Sequence, residues 1–141
     1  MIEFGTDTTR AIASILFNGN ANRFRDIRWI FSHAGGTMPF LIERFVRQPI
    51  LTPKVAPLFP QGVAAELKRF HYDTAQTANA AAMSALTKVV PTSQIVLGTD
   101  YPYRAGLDHV KGLRDCGVFS AAELRMIEVD TPLSLLPRLR R

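Results

Sequence analysis

The 141 residues predict an α/β fold built on a parallel sheet. Three short strand-like stretches, at 27–32, 70–73 and 95–98, are separated by segments with helical spacing, and strands joined through helices lie parallel. Each stretch delivers a polar residue at its C-terminal end: His33, Asp73 and Asp100 in turn. Apolar residues make up 47% and charged residues 21%, with no low-complexity tract, which excludes a disordered chain and leaves enough side chains for one core.

The elements follow in order. Thr6, Asp7, Thr8 and Thr9 offer N-caps for a helix whose apolar positions are Ala11, Ile12, Ile15 and Leu16, with Gly19 as its stop. Residues 27–32 are rich in β-branched and aromatic side chains and read as a buried strand running into His33-Ala34-Gly35-Gly36. Pro39 suits the first turn of a second helix carrying Leu41, Ile42, Phe45 and Val46. Pro49, Pro53, Pro57 and Pro60 predict a long surface loop or flap over 48–60. A short helix at 63–68 precedes the strand at 70–73. An alanine-rich helix over 78–90 ends at Pro91, and the clearest strand, 95–98, leads to Thr99-Asp100-Tyr101-Pro102. A helix at 107–116 is closed by Gly117, and Ser120 with Glu123 forms a capping box for the last helical segment.

Charge and cysteine content narrow the function classes. Seventeen basic residues against twelve acidic give +5, but the arginines are scattered, with one cluster at Arg138, Arg140 and Arg141. A nucleic-acid surface requires basic residues gathered on one face with aromatics among them, so none is expected. No apolar run approaches a membrane span. The first residues lack the basic stretch and apolar core of a signal peptide, and the single cysteine, Cys116, cannot pair within the chain. These features lead us to expect a cytoplasmic protein.

In parallel α/β folds functional groups gather beyond the C-terminal ends of strands. A carboxylate at Asp100, following a buried strand and a Gly-Thr pair, would stand in a partly dry pocket and need a cation or several N–H donors. An imidazole at His33, beside two glycines that allow close approach, can ligate a divalent ion or handle a proton. Taken singly, His33 reads as a hydrogen-bonded strand-end histidine and Asp100 as a helix cap. Their places on strand ends of one sheet favour a site. Asp73 reads either as a substrate-contacting group or as the cap of the next helix. His71 reads as structural, His109 as a surface residue and Cys116 as packing. No phosphate loop, dinucleotide fingerprint or nucleophile elbow occurs.

Glu3-Phe4 with Asp7-Thr8-Thr9-Arg10-Ala11, Phe31-Ser32-His33-Ala34-Gly35-Gly36-Thr37, Tyr72-Asp73-Thr74-Ala75, Leu97-Gly98-Thr99-Asp100-Tyr101-Pro102-Tyr103 and Gly117-Val118-Phe119-Ser120 occur in a familiar order. Over nearly the whole chain they resemble the amidohydrolase superfamily, in its aminocarboxymuconate-semialdehyde decarboxylase-like branch. The resemblance implies a distorted TIM barrel holding one divalent metal, zinc or manganese, at the strand ends. It implies decarboxylation or hydrolysis of an aromatic or unsaturated carboxylic acid. Asp100 matches the family's metal-ligating aspartate. His33 matches its histidine that acts on the metal-bound water or the substrate, which serves as acid–base group in the decarboxylase branch.

Two departures from the pattern set further expectations. The family's N-terminal His-x-His pair and the histidine one strand before His33 are absent, so Asp100 and His33 alone should bind metal poorly. A complete barrel needs about 250 residues and eight strands. This chain is therefore expected to begin between the fifth and sixth strands of the pattern, to supply about the last three strands of a partial barrel, and to be inactive alone. Near its end, Val129-Asp130-Thr131-Pro132 replaces the family's Asn-Ala pair and leaves the packing of the last helix open. The uncovered sheet suggests a homo-oligomer. The alternatives are a non-catalytic, self-associating or partner-binding protein and, with less support, a basic nucleic-acid-binding module.

Overall fold

A computed structural model describes residues 1–139. The first helix, α1 (Ile2–Phe17), begins four residues before the expected caps. Thr6, Thr8 and Thr9 lie inside it, and their hydroxyls donate to the carbonyls of Ile2, Phe4 and Gly5 at 3.1, 3.0 and 2.9 Å. A threonine within a helix back-bonds in this way instead of capping. Thr9, Ile12 and Leu16 form the buried stripe, at the spacing that keeps one helical face inward. After Gly19, at φ +75°, comes the single turn α2 (Asn20–Arg23).

The sheet is parallel, as its crossovers require, with strand order β1 (Ile30–Phe31), β2 (His71–Asp73) and β3 (Ile95–Val96). The strands are shorter than their apolar runs. Residues 24–27 are taken by a turn, closed by the Ile27 N–H on the Phe24 carbonyl at 3.2 Å. At the other edge the Leu97 N–H donates to Ile127 at 3.1 Å instead of extending the ladder. Register pairs Ile30 with His71, Phe31 with Tyr72, Tyr72 with Ile95 and Asp73 with Val96. Because side chains alternate across a strand, Phe31, Tyr72 and Ile95 share one face, and Ile30, His71, Asp73 and Val96 share the other. The first face is buried. The Phe31 ring meets Phe70 edge-on at 5.2 Å, and the Tyr72 hydroxyl donates to the Leu67 carbonyl at 2.9 Å. The second face is partly bare: Ile30 is 49% exposed.

The proline-rich stretch corrects the expectation of a flap. Helix α3 (Ile42–Leu51) carries Pro49 within it, and a 3₁₀ segment covers Pro53–Leu58. Pro49 stands in the last turn, so its missing N–H removes one bond where the helix is already ending. The segment is also anchored: Asn22 donates to the Leu58 carbonyl at 2.7 Å, and Phe59 packs edge-on against Phe17 at 5.5 Å. Beyond α4 (Val63–Leu67), helix α5 (Ala80–Thr87) is shorter than its alanine-rich run and is capped by Asn79, which accepts from the Ala82 N–H at 3.0 Å.

Helix α6 (Gly106–Asp115) ends at Cys116 with Gly117 at φ +71°. The Ser120–Glu123 capping box opens α7 (Ala121–Arg125) as expected. Helix α7 passes through a π turn at Met126–Asp130 directly into α8 (Thr131–Leu135), whose first turn takes Pro132. Arg114 on α6 donates two bonds to Glu128, at 2.9 and 2.7 Å, tying this run to the layer beside it. Arg140 and Arg141 of the basic cluster lie outside the described residues.

Candidate functional site

His33 stands two residues beyond β1 in an unusual turn. His33, Ala34, Gly35 and Gly36 all adopt positive φ, at 55°, 55°, 76° and 67°. A non-glycine residue enters this region at a cost of about 1–2 kcal/mol, so the surroundings must hold the first two residues there. They do so from two sides. The Asp73 carboxylate on β2 accepts the His33 N–H at 2.9 Å and the Ala75 N–H at 3.0 Å. From α1, the Thr9 hydroxyl contacts the Gly35 carbonyl at 3.3 Å and accepts the Thr37 N–H at 2.8 Å. Gly36 is required for this approach, since a Cβ there would fall 1.9 Å from the Gly5 carbonyl oxygen. The His33 ring is half-buried, and among the described residues its Nδ1 has no partner.

Asp100 lies four residues beyond β3, also at positive φ (62°). Its carboxylate accepts from Gln76 Nε2 at 3.1 Å, close to the surface, so the expected dry pocket is not formed by these residues alone. Asp73 connects the two regions. It holds the His33 turn through its Oδ1, and a Cβ on Gly98 would lie 2.9 Å from both its Cβ and its Cγ. The structure thus places His33, Asp73 and Asp100 at the C-terminal end of one sheet, with Asp73 between the other two.

Asp73 caps no helix; it organises the His33 loop. Thr9, read from the sequence as a helix cap, instead braces the His33 turn, and Gln76 has no mark in the sequence. His109, expected at the surface, is fully buried, with Nε2 3.2 Å from the Thr74 hydroxyl. Burial, followed by the Arg104 charge, holds its ring below the ordinary histidine value. His71 is half-buried on the partly bare face, and burial, then the Arg28 charge, lowers it too. Cys116 packs against the core as expected. An apolar groove of about 360 Å³ between α1 and α3, lined by Thr9, Ala13, Phe17, Leu41 and Phe45 among others, includes none of the strand-end groups.

The donor set does not by itself fit a catalytic metal. Among the described residues no group of three or more His, Cys, Asp or Glu side chains is placed to share an ion. A catalytic zinc takes about three protein ligands. His33 and Asp100 are at most part of such a set.

A parallel sheet with helices between its strands defines a segment of an α/β fold. The family is shown directly: the model described as amidohydrolase matches residues 3–138, and this chain belongs to that family. Its curated relatives include the 6-methylsalicylic acid decarboxylase of Penicillium expansum, 29% identical over 99% of this chain and 44% of the relative. That of Aspergillus aculeatus is 30% identical over 100% of this chain and 45% of the relative. Among solved structures, a dihydroxybenzoic acid decarboxylase from Polaromonas with bound manganese and the inhibitor 2-nitroresorcinol superposes with a TM-score of 0.82 at 16% identity, over 97% of this chain and 42% of that one. A 2,6-dihydroxybenzoate decarboxylase from Rhizobium gives 0.80 at 14%, over 95% and 42%. These likenesses establish the fold: the three strands and their helices correspond to part of a TIM barrel. The chain spans less than half the length of the relatives it matches. Among the described residues no helix is long and apolar enough to cross a membrane.

Proposed function

We propose that this chain supplies one side of the active site of a metal-dependent decarboxylase acting on an aromatic carboxylic acid of the hydroxybenzoate type. The observation that carries the reading is the placement of His33, Asp73 and Asp100 at one end of the parallel sheet, with Asp73 holding the His33 turn. Decarboxylation breaks the bond between a ring carbon and its carboxyl group. Carbon dioxide leaves, the electron pair stays on the ring carbon, and that carbon then takes a proton. An imidazole can deliver that proton, and His33 is given that role. Asp100 is assigned as one ligand of a divalent ion, zinc or manganese, with the remaining ligands from barrel strands outside this sequence. The relatives named for 6-methylsalicylic acid and dihydroxybenzoate decarboxylation support the substrate class.

The test uses metal content and product. A protein carrying these residues within a whole barrel should release carbon dioxide from a hydroxybenzoate. His33→Asn should abolish turnover while leaving the metal bound, and Asp100→Asn should lose the metal. The isolated 141 residues should be inactive and nearly metal-free after dialysis. Stoichiometric zinc or manganese in that preparation, or full turnover by His33→Asn, would overturn the assignment.

A second reading, self-association without catalysis, is favoured by the unpaired edge of β1, where Ile27 and Ile30 are 45% and 49% exposed. A discrete dimer mass by light scattering, with no turnover in any barrel context, would select it.

A further inference from the structure

We propose that His109 on α6 is a positioning residue for the strand-end cluster, acting through the Thr74 hydroxyl that ties the end of β2 to Gly98 beyond β3. The functional weight of that position rests on the His33–Asp100 reading; the hydrogen-bond assignment does not.

The assignment follows from counting protons. A threonine hydroxyl has one proton and two lone pairs. Thr74 Oγ1 accepts the Gly98 N–H at 3.1 Å and donates to the Gly98 carbonyl at 3.0 Å, a two-way clasp on a single residue. Its third contact is His109 Nε2 at 3.2 Å. With the hydroxyl proton committed to Gly98, only a donor fits there, so His109 carries its proton on Nε2. The opposite arrangement would turn the hydroxyl proton toward Nε2, strip the Gly98 carbonyl of its bond and put the ring proton on Nδ1. That atom is buried without a partner among the described residues, and an orphaned buried N–H is rarer than an under-used acceptor. The Nε2–H form leaves Nδ1 a bare lone pair and satisfies everything else.

The helix is shaped for this grip. Gly112 lies three residues after His109, on the same face of α6, and a Cβ there would stand 3.2 Å from the Ala78 carbonyl oxygen. Its absence lets α6 settle against the segment after β2, where the fully buried His109 ring reaches Thr74. The clasp lies between the two carboxylates of the cluster: Asp73 precedes Thr74, and Asp100 follows Gly98 by two residues. Loosening it lets the His33-holding carboxylate and the Asp100 loop move apart.

The test reads protons and local opening rather than turnover. In the full chain labelled with ¹⁵N-histidine, NMR should show His109 as the neutral Nε2–H tautomer. An Nδ1–H tautomer or an imidazolium at neutral pH overturns the proposal, whatever the variants do. Amide exchange at Gly98, relative to Ile12 in the core of α1, should accelerate about tenfold in His109→Leu, the loss expected for one buried hydrogen bond, and more in Thr74→Val, which also removes both bonds to Gly98. Thr74→Ser and His109→Gln, which keep the hydroxyl and an N–H donor, should restore protection. The double variant should be no worse than Thr74→Val alone. A histidine that only fills space would make His109→Gln no better than His109→Leu, which overturns the proposal, as does unchanged Gly98 exchange in Thr74→Val. Should His109→Leu fail to fold, the tautomer of the wild-type ring still decides the proposal. None of these results depends on catalysis, so failure of the decarboxylase assignment would leave them standing and their failure would leave it standing.

Discussion

Removing the Asp73 carboxylate should destabilise the chain by about 3 kcal/mol. Its Oδ1 receives N–H groups from His33 and Ala75 at 2.9 and 3.0 Å. A hydrogen bond to a charged acceptor contributes about 1.5–3 kcal/mol, and both bonds are only part-buried, so the lower end applies to each. Asp73→Ala removes both and leaves His33 and Ala34 at φ 55° with only the Thr9 contacts bracing the turn. The turn would then relax toward ordinary backbone angles. Asp73→Asn keeps an oxygen acceptor in place and gives up only the charge, at about 1 kcal/mol. Urea unfolding followed by circular dichroism measures the differences, and amide exchange at His33 and Ala75 places them. An Asp73→Ala protein within about 0.5 kcal/mol of the parent, the spread of ordinary surface changes, with His33 still protected, would refute the idea that this carboxylate builds the loop.

Two further outcomes follow from the same structure. Gly36→Ala should cost more than about 3 kcal/mol, because the new Cβ would fall 1.9 Å from the Gly5 carbonyl oxygen and 2.7 Å from the Thr9 hydroxyl. Gly117→Ala, at a similar φ but in open space, should cost only the conformational penalty of about 1 kcal/mol, and equal unfolding midpoints for the two would be inconsistent with the packing described. Acid should weaken the fold from near neutrality downward. Burial lowers both His71 and His109, with Arg28 and Arg104 adding to it. Unfolded imidazoles therefore bind protons near pH ~6.5 while the folded ones stay neutral, and stability is full above that pH and lost below it. Glu123, held below the usual range by the Ser120 N–H, and Glu128, held down by Arg114, extend the loss at lower pH, since a depressed carboxylate stabilises only above its folded value. Denaturation midpoints from pH 8 to 4 check this; a midpoint that rises on acidification contradicts it.

The parallel α/β class was legible because its signal is redundant. Apolar runs, helical spacing between them and a polar residue at each strand end agree. The Ser120–Glu123 box was equally plain, since both halves of a capping box lie within one turn. What escaped reading depends on distant partners. Thr6, Thr8 and Thr9 have the chemistry of caps, and only the helix that forms around them turns their hydroxyls back onto carbonyls. His109 sits on a helix otherwise marked by charged residues, and its burial comes from the approach that Gly112 permits. Asp73 was noticed, but its bonding partner is a backbone group 40 residues away. Pro49 argued against helix because the rule concerns helix interiors, whereas it falls in a last turn.

The uneven burial of the sheet explains why the polar groups stand where they do. Phe31, Tyr72 and Ile95 face the helices and are almost wholly buried, and the other face presents Ile30, His71 and Asp73. A slip of one residue in β2 would exchange these sets, turning the Tyr72 ring outward and driving His71 and Asp73 into the helix layer, where an unpaired carboxylate costs several kcal/mol. The aromatic residues of β1 and β2 therefore set the register that aims Asp73 at the His33 turn. Thr74, one residue further, necessarily points the opposite way, toward α6 and His109. The alternation that leaves one carboxylate free to build the strand-end cluster is the same alternation that provides the hydroxyl by which the helix layer holds it in place.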